Sequence, residues 1–305
     1  MNSMPTSARP VFSYDEAFGR NLGWVTPAEQ QALRGKRVAI AGLGGVGGVH
    51  VLTLARLGVG KMHLADYDVF DLANFNRQIG ASVSTLGQPK IEVLAGMARD
   101  INPDIELRLF SEGVSAGNLD AFLAGVDVFV DGLDFFAFEA RERTFAACRA
   151  AGIPAITAAP LGMGVAVLNF VPEGMSFEDY FRLDGVPESE KRVRFLLGLS
   201  PAMLQRRYLA DPSFLDLARN RGPSTAMACQ LCAGVAATEA LKFLLKRGRI
   251  HAAPVGLQFD AYQGKLKRTW RPWGNRNPLQ RIAIAIARRQ LATMGQRPST
   301  MSQPR

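Results

Sequence analysis

The chain has 305 residues, of which 48% are hydrophobic and 21% are charged, a balance typical of a globular protein with a sizeable core. Its three cysteines are too few, and odd in number, for a disulfide framework, which excludes a small disulfide-stabilised scaffold. The net charge of +9 is uneven, because residues 241–305 carry +13 and residues 1–240 carry −4.

No segment is predicted to span a membrane. The longest apolar run, 161–171, is broken by Gly162, Gly164 and Asn169 and is shorter than the roughly 20 residues that a bilayer requires. The N-terminus lacks the charged-then-apolar pattern of a signal peptide. We therefore expect a cytoplasmic protein with no membrane span.

Strand and helix patterns alternate over the first 170 residues, after a segment, 1–12, whose Ser, Pro and Met content predicts disorder. This alternation predicts an α/β fold with a Rossmann-like, doubly wound, mainly parallel sheet. The predicted helices are 13–35, 49–57, 90–100, 119–124 and 139–151. The predicted strands are 36–41, 62–66, 106–110, 126–130, 155–157 and 164–171.

The pattern changes after residue 171. Amphipathic fragments broken by glycine and proline predict a helical excursion over the sheet at 172–224. A helix at 225–245, a strand at 255–262 and a helix at 279–291 follow. The predicted organisation is thus a disordered N-terminus at 1–12, one domain at 13–262 and a basic C-terminal extension at 263–305.

A glycine-rich turn follows the first predicted strand and precedes a helix. Gly42, Gly44, Gly45 and Gly47 let the backbone turn tightly and approach phosphates, whose charge a helix N-terminus favours. Asp66 ends the next predicted strand, where a carboxylate suits ribose hydroxyls. These residues predict a nucleotide site, and by themselves they fit NAD, FAD or ATP.

A polar series after Asp66 narrows this prediction to ATP chemistry. Attack of a carboxylate on the α-phosphate of ATP develops negative charge, which Arg and Lys stabilise. An aspartate at the carboxyl end of a parallel strand can hold Mg²⁺. The series consists of Asn74, Arg77, Gln78, Lys90 and Asp134.

The glycine loop, Asp66, Asn74-x-x-Arg77-Gln78, Lys90 and Asp134 together resemble the motif series of the ThiF/MoeB/HesA family, which includes the adenylation domain of ubiquitin-activating enzymes. The resemblance covers about residues 14–170 and continues more weakly over 224–277. It implies an ATP-dependent adenylyltransferase that activates a carboxylate, such as the C-terminal glycine of a ubiquitin-like sulfur-carrier protein.

The resemblance also implies a role for each matching residue. Family members are homodimers in which an N-terminal arginine enters the partner's site, and Arg20 resembles that residue. Gly42, Gly44, Gly45, Gly47 and Gln78 would belong to the nucleotide-binding set. Within it, the resemblance places Gly44 and Gly45 along the phosphates, Asp66 at the ribose, Asn74, Arg77 and Lys90 at the phosphates and the transition state, and Asp134 at Mg²⁺.

The cysteines depart from the family pattern. Many relatives hold zinc with two Cys-x-x-Cys pairs, whereas this chain has one, Cys229 to Cys232, and we expect no zinc. Residues 172–224 contain no cysteine, although several relatives have a nucleophile there. Cys229 is either a helix-end thiol with a lowered pKa or a buried small residue. We expect the reaction to stop at the adenylate.

Other functions remain open from the sequence. The basic C-terminal region has Trp270 and Trp273 among its arginines, which fits RNA binding by a tRNA-modifying dehydratase of the same family. Alternatively, the helix predicted at 279–291 packs on a partner. A non-catalytic nucleotide-binding protein is a further alternative, and an NAD-dependent oxidoreductase a more distant one. Phe135 stands where the family often has Asn, and it belongs either to an acceptor pocket or to the core.

Overall fold

The computed structural model describes residues 11–215 and 222–294. Residues 1–10 of the predicted disordered segment, 216–221 of the predicted excursion and 295–305 of the predicted extension lie outside the described residues. The helices are α1 Tyr14–Phe18, α2 Pro27–Gly35, α3 Gly47–Arg56, α4 Lys90–Ile101, α5 Leu119–Leu123, α6 Phe138–Ala150, α7 Phe177–Phe181, α8 Glu188–Leu199, α9 Ala226–Leu245 and α10 Pro278–Met294. The strands are β1 Arg37–Ala41, β2 Lys61–Ala65, β3 Glu106–Phe110, β4 Val128–Asp131, β5 Ala155–Leu161, β6 Gly164–Phe170, β7 Val255–Asp260 and β8 Lys265–Trp270.

The strands form one sheet in the order β3-β2-β1-β4-β5-β6-β7-β8. The first five strands are parallel, and β6, β7 and β8 continue the sheet with antiparallel pairings. All four residues of β4 are buried, as expected for a central strand covered on both faces. The predicted Rossmann-like α/β fold is confirmed, and the carboxyl ends of β1, β2 and β4 meet at one edge of the sheet.

The N-terminal helix is interrupted, so the prediction of one helix over 13–35 was wrong in part. A 3₁₀ turn, Gly19–Asn21, follows α1, and Gly23 then adopts a φ of +103° that continues no right-handed helix. The predicted second start is confirmed. Thr26 caps α2 by accepting from the Glu29 N–H at 3.2 Å, and Glu29 accepts from the Thr26 N–H at 2.8 Å.

In its described residues, 172–215 and 222–224, the predicted helical excursion contains α7, α8 and two 3₁₀ turns, Leu204–Tyr208 and Pro212–Phe214. Its aromatic side chains hold it on the sheet. Phe177 packs against Phe145 of α6 with ring centroids 4.5 Å apart and against Phe170 of β6 at 5.6 Å. Phe195 of α8 joins the same buried cluster. The excursion therefore shares the core of the sheet.

The hairpin of β7 and β8 spans the predicted boundary between residues 262 and 263. The first strand of the predicted basic extension, β8, pairs along its whole length with β7, from Asp260↔Lys265 to Val255↔Trp270. Its charged side chains suit a sheet edge, where they oppose pairing with another chain. The basic residues 265–270 thus belong to the sheet.

The apolar helix α9 contributes buried residues to the main hydrophobic core. It is long and apolar enough by length and composition to cross a membrane, with half of its most apolar window buried. It packs on β5, β6 and α3, where Ala236 and Ala240 are fully buried. A core helix of a folded domain has the same composition, and this packing accounts for it.

Candidate active site

The glycine loop connects β1 to α3 in a tightly folded backbone. Gly42 has a φ of +81°, and its N–H donates to the Ala65 carbonyl at 2.8 Å. A Cβ on Gly47 would lie 1.7 Å from the Gly42 carbonyl oxygen, and one on Gly42 would lie 2.3 Å from the Gly132 oxygen. No side chain fits at Gly42 or Gly47, because the obstructing atoms are backbone.

Gly44 faces more open space than Gly45 in the same loop. The first heavy atom that a Cβ on Gly44 would meet is Gln78 Nε2, at 3.7 Å. A Cβ on Gly45 would meet Cys229 Sγ at 3.0 Å and the Arg77 side chain at 3.5 Å. Gly44 therefore leaves room for a ligand, and Gly45 lies between the buried thiol and the Arg77 stem.

Two substitutions in the loop should separate folding from binding. Gly47→Ala is expected to lower the free energy of unfolding by several kcal/mol, because its methyl group overlaps a backbone oxygen. Gly44→Ala is expected to change stability by less than about 1 kcal/mol and to weaken nucleotide binding about tenfold or more, because the methyl group enters the space left for phosphates. Urea unfolding and nucleotide titration measure both quantities. Wild-type nucleotide affinity in Gly44→Ala would contradict this assignment.

Asp66 follows β2 and ties the glycine loop to it. One carboxylate oxygen accepts from the Leu43 N–H at 2.5 Å and the other from the Asp68 N–H at 2.7 Å. The residue is 8% exposed, and burial raises the pKa of its carboxyl above the usual value, although the two backbone N–H groups and Lys90 oppose that shift. Asp66 thus stands beside the loop at the edge predicted for a ribose.

Lys90 begins α4 and is paired with an acid from the β2 loop. Its Nζ lies 3.0 Å from Asp68 Oδ2, and its side chain is 6% exposed against 53% for Asp68. Its N–H also donates to the Asp68 carbonyl at 2.9 Å. Asp68 was not among the predicted site residues, although it lies in the acidic run that follows β2. This ion pair holds the Lys90 ammonium group at the loop that follows β2, next to the glycine loop.

Arg77 and its neighbours lie over the glycine loop. Arg77 Nη1 donates to the Ala73 carbonyl and to Asn76 Oδ1, both at 2.9 Å. Asn74 Oδ1 accepts from the Asp71 N–H at 2.9 Å, which caps the 3₁₀ turn Leu72–Asn74. Gln78 is 6% exposed, and its Oε1 has no partner among the described residues. An unpaired buried amide beside the open Gly44 is what a ligand-binding position would show.

Asp134 projects from the loop after β4. The residue is exposed, and its Oδ1 accepts from the Phe136 N–H at 3.0 Å. Mg²⁺ is commonly held by one or two carboxylates together with substrate phosphates and water, so a single exposed aspartate beside a phosphate loop fits this ion. Within residues 11–215 and 222–294, no three His, Cys, Asp or Glu side chains form a protein-only metal site.

A buried ion pair that sequence reasoning missed holds the Asp134 loop. Arg141 Nε lies 2.8 Å from Asp131 Oδ2, and each side chain is 2% exposed. Arg141 also donates to the carbonyls of Leu133, at 2.7 Å, and Asp134, at 2.9 Å. Thr157 donates its hydroxyl to Asp131 at 2.9 Å. Among the many charges of α6, nothing in the sequence distinguishes Arg141 from a surface arginine.

Phe135 belongs to the packing around this loop. Its ring lies 5.2 Å from that of Phe195 and 6.3 Å from that of Phe138, measured between centroids. The Arg141 guanidinium stacks over Phe195 with 4.7 Å to the ring centroid. Of the two predictions for Phe135, the structure favours core packing.

Arg20 lies far from the glycine loop of its own chain. It is exposed in the 3₁₀ turn Gly19–Asn21, and the adjacent Asn21 donates to the Leu57 carbonyl at 3.3 Å. Leu57 follows the C-terminal end of α3, whose opposite end begins at the glycine loop. A helix of this length spans about 15 Å. The Arg20 turn thus lies at the end of α3 that is opposite the glycine loop of the same chain.

The three cysteines are buried and unpaired. Burial raises the pKa of the Cys229 thiol, although a hydrogen bond with Ser224 and the charge of Arg77 oppose the shift. Burial also raises the pKa values of Cys148 and Cys232. The alternative of a helix-end thiol with a lowered pKa was wrong, because desolvation of Cys229 outweighs both opposing effects.

Comparison with known proteins agrees with this geometry. The sulfur carrier protein ThiS adenylyltransferase of Escherichia coli strain K12 is 36% identical over 143 residues, covering 47% of this chain and 56% of that protein. The tRNA threonylcarbamoyladenosine dehydratase of Bacillus subtilis strain 168 is 34% identical over 123 residues, covering 40% of this chain and 48% of that protein. The alignments span about half the length of these relatives.

Solved structures share the fold. The crystal structure of E. coli MccB with ATP superposes with a TM-score of 0.62 at 20% identity, over 83% of this chain and 70% of that one. At this identity the likeness concerns the fold. A family model covers residues 18–281 and therefore most of the chain, including every element from the Arg20 turn to the start of α10. The chain belongs to the ThiF family.

Proposed function

We propose that this protein is an ATP-dependent adenylyltransferase that activates a carboxylate as an acyl-adenylate. The proposal is supported mainly by the grouping of candidate residues at one edge of the sheet. The glycine loop, Asp66, the Lys90–Asp68 pair and Arg77 lie at the carboxyl ends of β1 and β2, and Asp134 follows the neighbouring β4. Ligands of open α/β sheets bind at this edge. General activity of the ThiF type is supported by the family model and by the ThiS adenylyltransferase.

The proposed reaction transfers an adenylyl group. A carboxylate oxygen of the acceptor attacks the α-phosphorus of ATP, the bond from that phosphorus to the bridging oxygen breaks, and pyrophosphate leaves with the bonding electron pair. Negative charge grows on the phosphate oxygens and on the leaving group. Arg77 would contact these oxygens with its planar fork, and Lys90 with a point charge.

The remaining residues position the reactants. Asp66, held by the Leu43 N–H, would accept from ribose hydroxyls, and Gly44 would let phosphates approach the backbone. Asp134 and the phosphates would hold Mg²⁺, which supplies neutralising charge when bound. Arg141 keeps the Asp134 loop in place by donating to the carbonyls of Leu133, Asp134 and Phe135. In a homodimer, Arg20 would add a cation to the partner's site.

The proposed acceptor is the C-terminal carboxylate of a small ubiquitin-like or sulfur-carrier protein. The name of the ThiS relative indicates a sulfur-carrier protein as the substrate of that enzyme. A second candidate is a carboxylate on tRNA. It is favoured by the +13 charge of residues 241–305 and by the exposed Trp270 and Trp273. Binding to tRNA would weaken steeply with salt.

Exchange of labelled pyrophosphate into ATP tests the proposal. The purified protein would be assayed with bulk tRNA or with small source-genome proteins that end in Gly-Gly. Exchange with one pool establishes adenylation and identifies the acceptor class. ATP binding without exchange for either pool would contradict the proposed activity with these acceptors and favour a non-catalytic nucleotide-binding protein.

A further inference from the structure

A groove between α8 and α10 lies outside the candidate active site. It has a volume of about 840 Å³ and is bordered by α7, α8, the 3₁₀ turn Gly274–Arg276 and α10. Five arginines and three acidic residues line it, together with Asn275, Ile284 and Ala285. The sequence left two alternatives open, RNA binding by the basic C-terminal region and packing of the helix predicted at 279–291 on a partner, and the groove bears on both.

One acid in the groove is fully engaged. Glu190 of α8 accepts from Arg194 at 2.6 Å and from Arg288 of α10, and it is 8% exposed. Burial alone would raise the pKa of its carboxyl, but the two arginines outweigh burial and hold that pKa below its usual value. The three charges lock α10 to α8, beside the apolar contact of Val193, Leu197 and Ile284. The walls of the groove are therefore fixed.

Two arginines in the groove have no counter-charge among residues 11–215 and 222–294. Arg276 and Arg281 are exposed, and neither guanidinium group has a hydrogen bond or ion pair with any residue in the described part of the chain. Arg276 lies at the end of its 3₁₀ turn, and Arg281 in the first turn of α10. Guanidinium groups bind carboxylates through a planar fork of two hydrogen bonds. The unsatisfied charge favours an anionic ligand.

The rest of the lining discriminates between anionic ligands. Glu178 and Asp184 would repel a continuous phosphate backbone, whereas a peptide places its carboxylates individually. Single-stranded RNA is bound with aromatic stacking, and the described lining contains no aromatic side chain. Ile284 and Ala285 offer apolar contact for a peptide side chain. The lining thus favours an acidic peptide over RNA.

The groove is also close to the proposed adenylation site. Arg194 lines the groove, and the next residue of α8, Phe195, packs on Phe135 and beneath Arg141. Consecutive helical residues point about 100° apart, so the groove and the Asp134 loop lie on adjacent sides of one helix. A helix is about 10–12 Å across, which an extended peptide crosses in about three or four residues.

We propose that this groove binds an acidic peptide segment of the acceptor, a few residues before the carboxyl group that is adenylated. The two unpaired arginines, Arg276 and Arg281, bind its side-chain carboxylates. The inference rests on the proposed function where it directs the carboxyl end of the peptide toward Asp134. Binding itself requires neither ATP nor chemistry, and it can be measured separately.

Fluorescence anisotropy at low salt tests the inference. The probe is a short fluorescein-labelled Ala/Gly peptide with two adjacent glutamates about four residues before its free carboxyl terminus. We expect it to bind the wild-type protein about tenfold more tightly than the same peptide with glutamines, since two charge contacts are lost. The double variant Arg276→Glu/Arg281→Glu should lose this preference and instead favour a peptide with two lysines.

The matched control is Arg56→Glu/Arg99→Glu, which replaces two exposed arginines whose side chains also lack partners among the described residues. This control should bind the acidic peptide as the wild type does. Equal binding of the glutamate and glutamine peptides, or equal losses in both double variants, would overturn the inference. Tighter binding of oligouridine, abolished only by Arg276→Glu/Arg281→Glu, would replace it with an RNA site. Peptide binding without pyrophosphate exchange would contradict the proposed function and leave the groove assignment intact.

Discussion

Arg77→Ala is expected to lower the rate of pyrophosphate exchange by about 10²- to 10³-fold while the free energy of unfolding changes by less than about 1 kcal/mol. The expected loss is large because this guanidinium would stabilise charge that develops only in the transition state. The stability change is small because Arg77 is partly exposed, and among the described residues its guanidinium donates only to the neighbouring Ala73 carbonyl and Asn76. Exchange at saturating ATP and urea unfolding measure the two effects.

Three further variants sharpen this prediction. Arg77→Lys keeps the positive charge but loses the planar pair of guanidinium donors, so its activity should lie between those of the wild type and Arg77→Ala. Asp134→Ala should also abolish exchange, because Asp134 is exposed and supplies the proposed carboxylate ligand. Arg99→Ala, an exposed arginine on α4, should retain wild-type exchange. Full activity in both Arg77→Ala and Asp134→Ala would refute the assigned site.

Arg141→Met should lower the free energy of unfolding by about 3–5 kcal/mol, the range observed when one partner of a buried ion pair is removed. The substitution leaves the Asp131 carboxylate buried without its cation and removes the donors to the Leu133 and Asp134 carbonyls. The double variant Asp131→Asn/Arg141→Met should be more stable than Arg141→Met, because no uncompensated charge remains.

The double variant also separates stability from positioning. If Arg141 orients the Asp134 loop, then recovered stability should not restore the rate of pyrophosphate exchange, and the loss should be in kcat. Additive stability effects of Asp131→Asn and Arg141→Met would show that the two charges do not interact. Wild-type exchange by the folded double variant would show that the clamp stabilises the core without positioning Asp134.

Much of the fold followed from local patterns. The strand over 106–110 matches β3 at both ends, and the bounds of α3, α4, α6 and α9 differ from their predictions by at most two residues. Apolar periodicity and the Thr26-Pro27 start are local signals, which the sequence contains in full. The strand β8 carries charges at alternate and adjacent positions without an apolar face, so no periodicity marked it.

The candidate site was also predictable from the sequence only in part. The sequence predicted the glycine loop and the order along the chain of Asp66, Arg77, Lys90 and Asp134. It could do so because the positions of residues within a strand–turn–helix unit depend mainly on local sequence. The sequence by itself determined the family, the nucleotide loop and the identity of the candidate catalytic residues. The Asp131–Arg141 clamp, the distance of Arg20 from its own loop and the lock between Glu190 and Arg288, 98 positions apart, were decided only by the tertiary structure. Such pairs depend on how the helices pack on the sheet, and no local pattern in the chain encodes which distant charges that packing brings together.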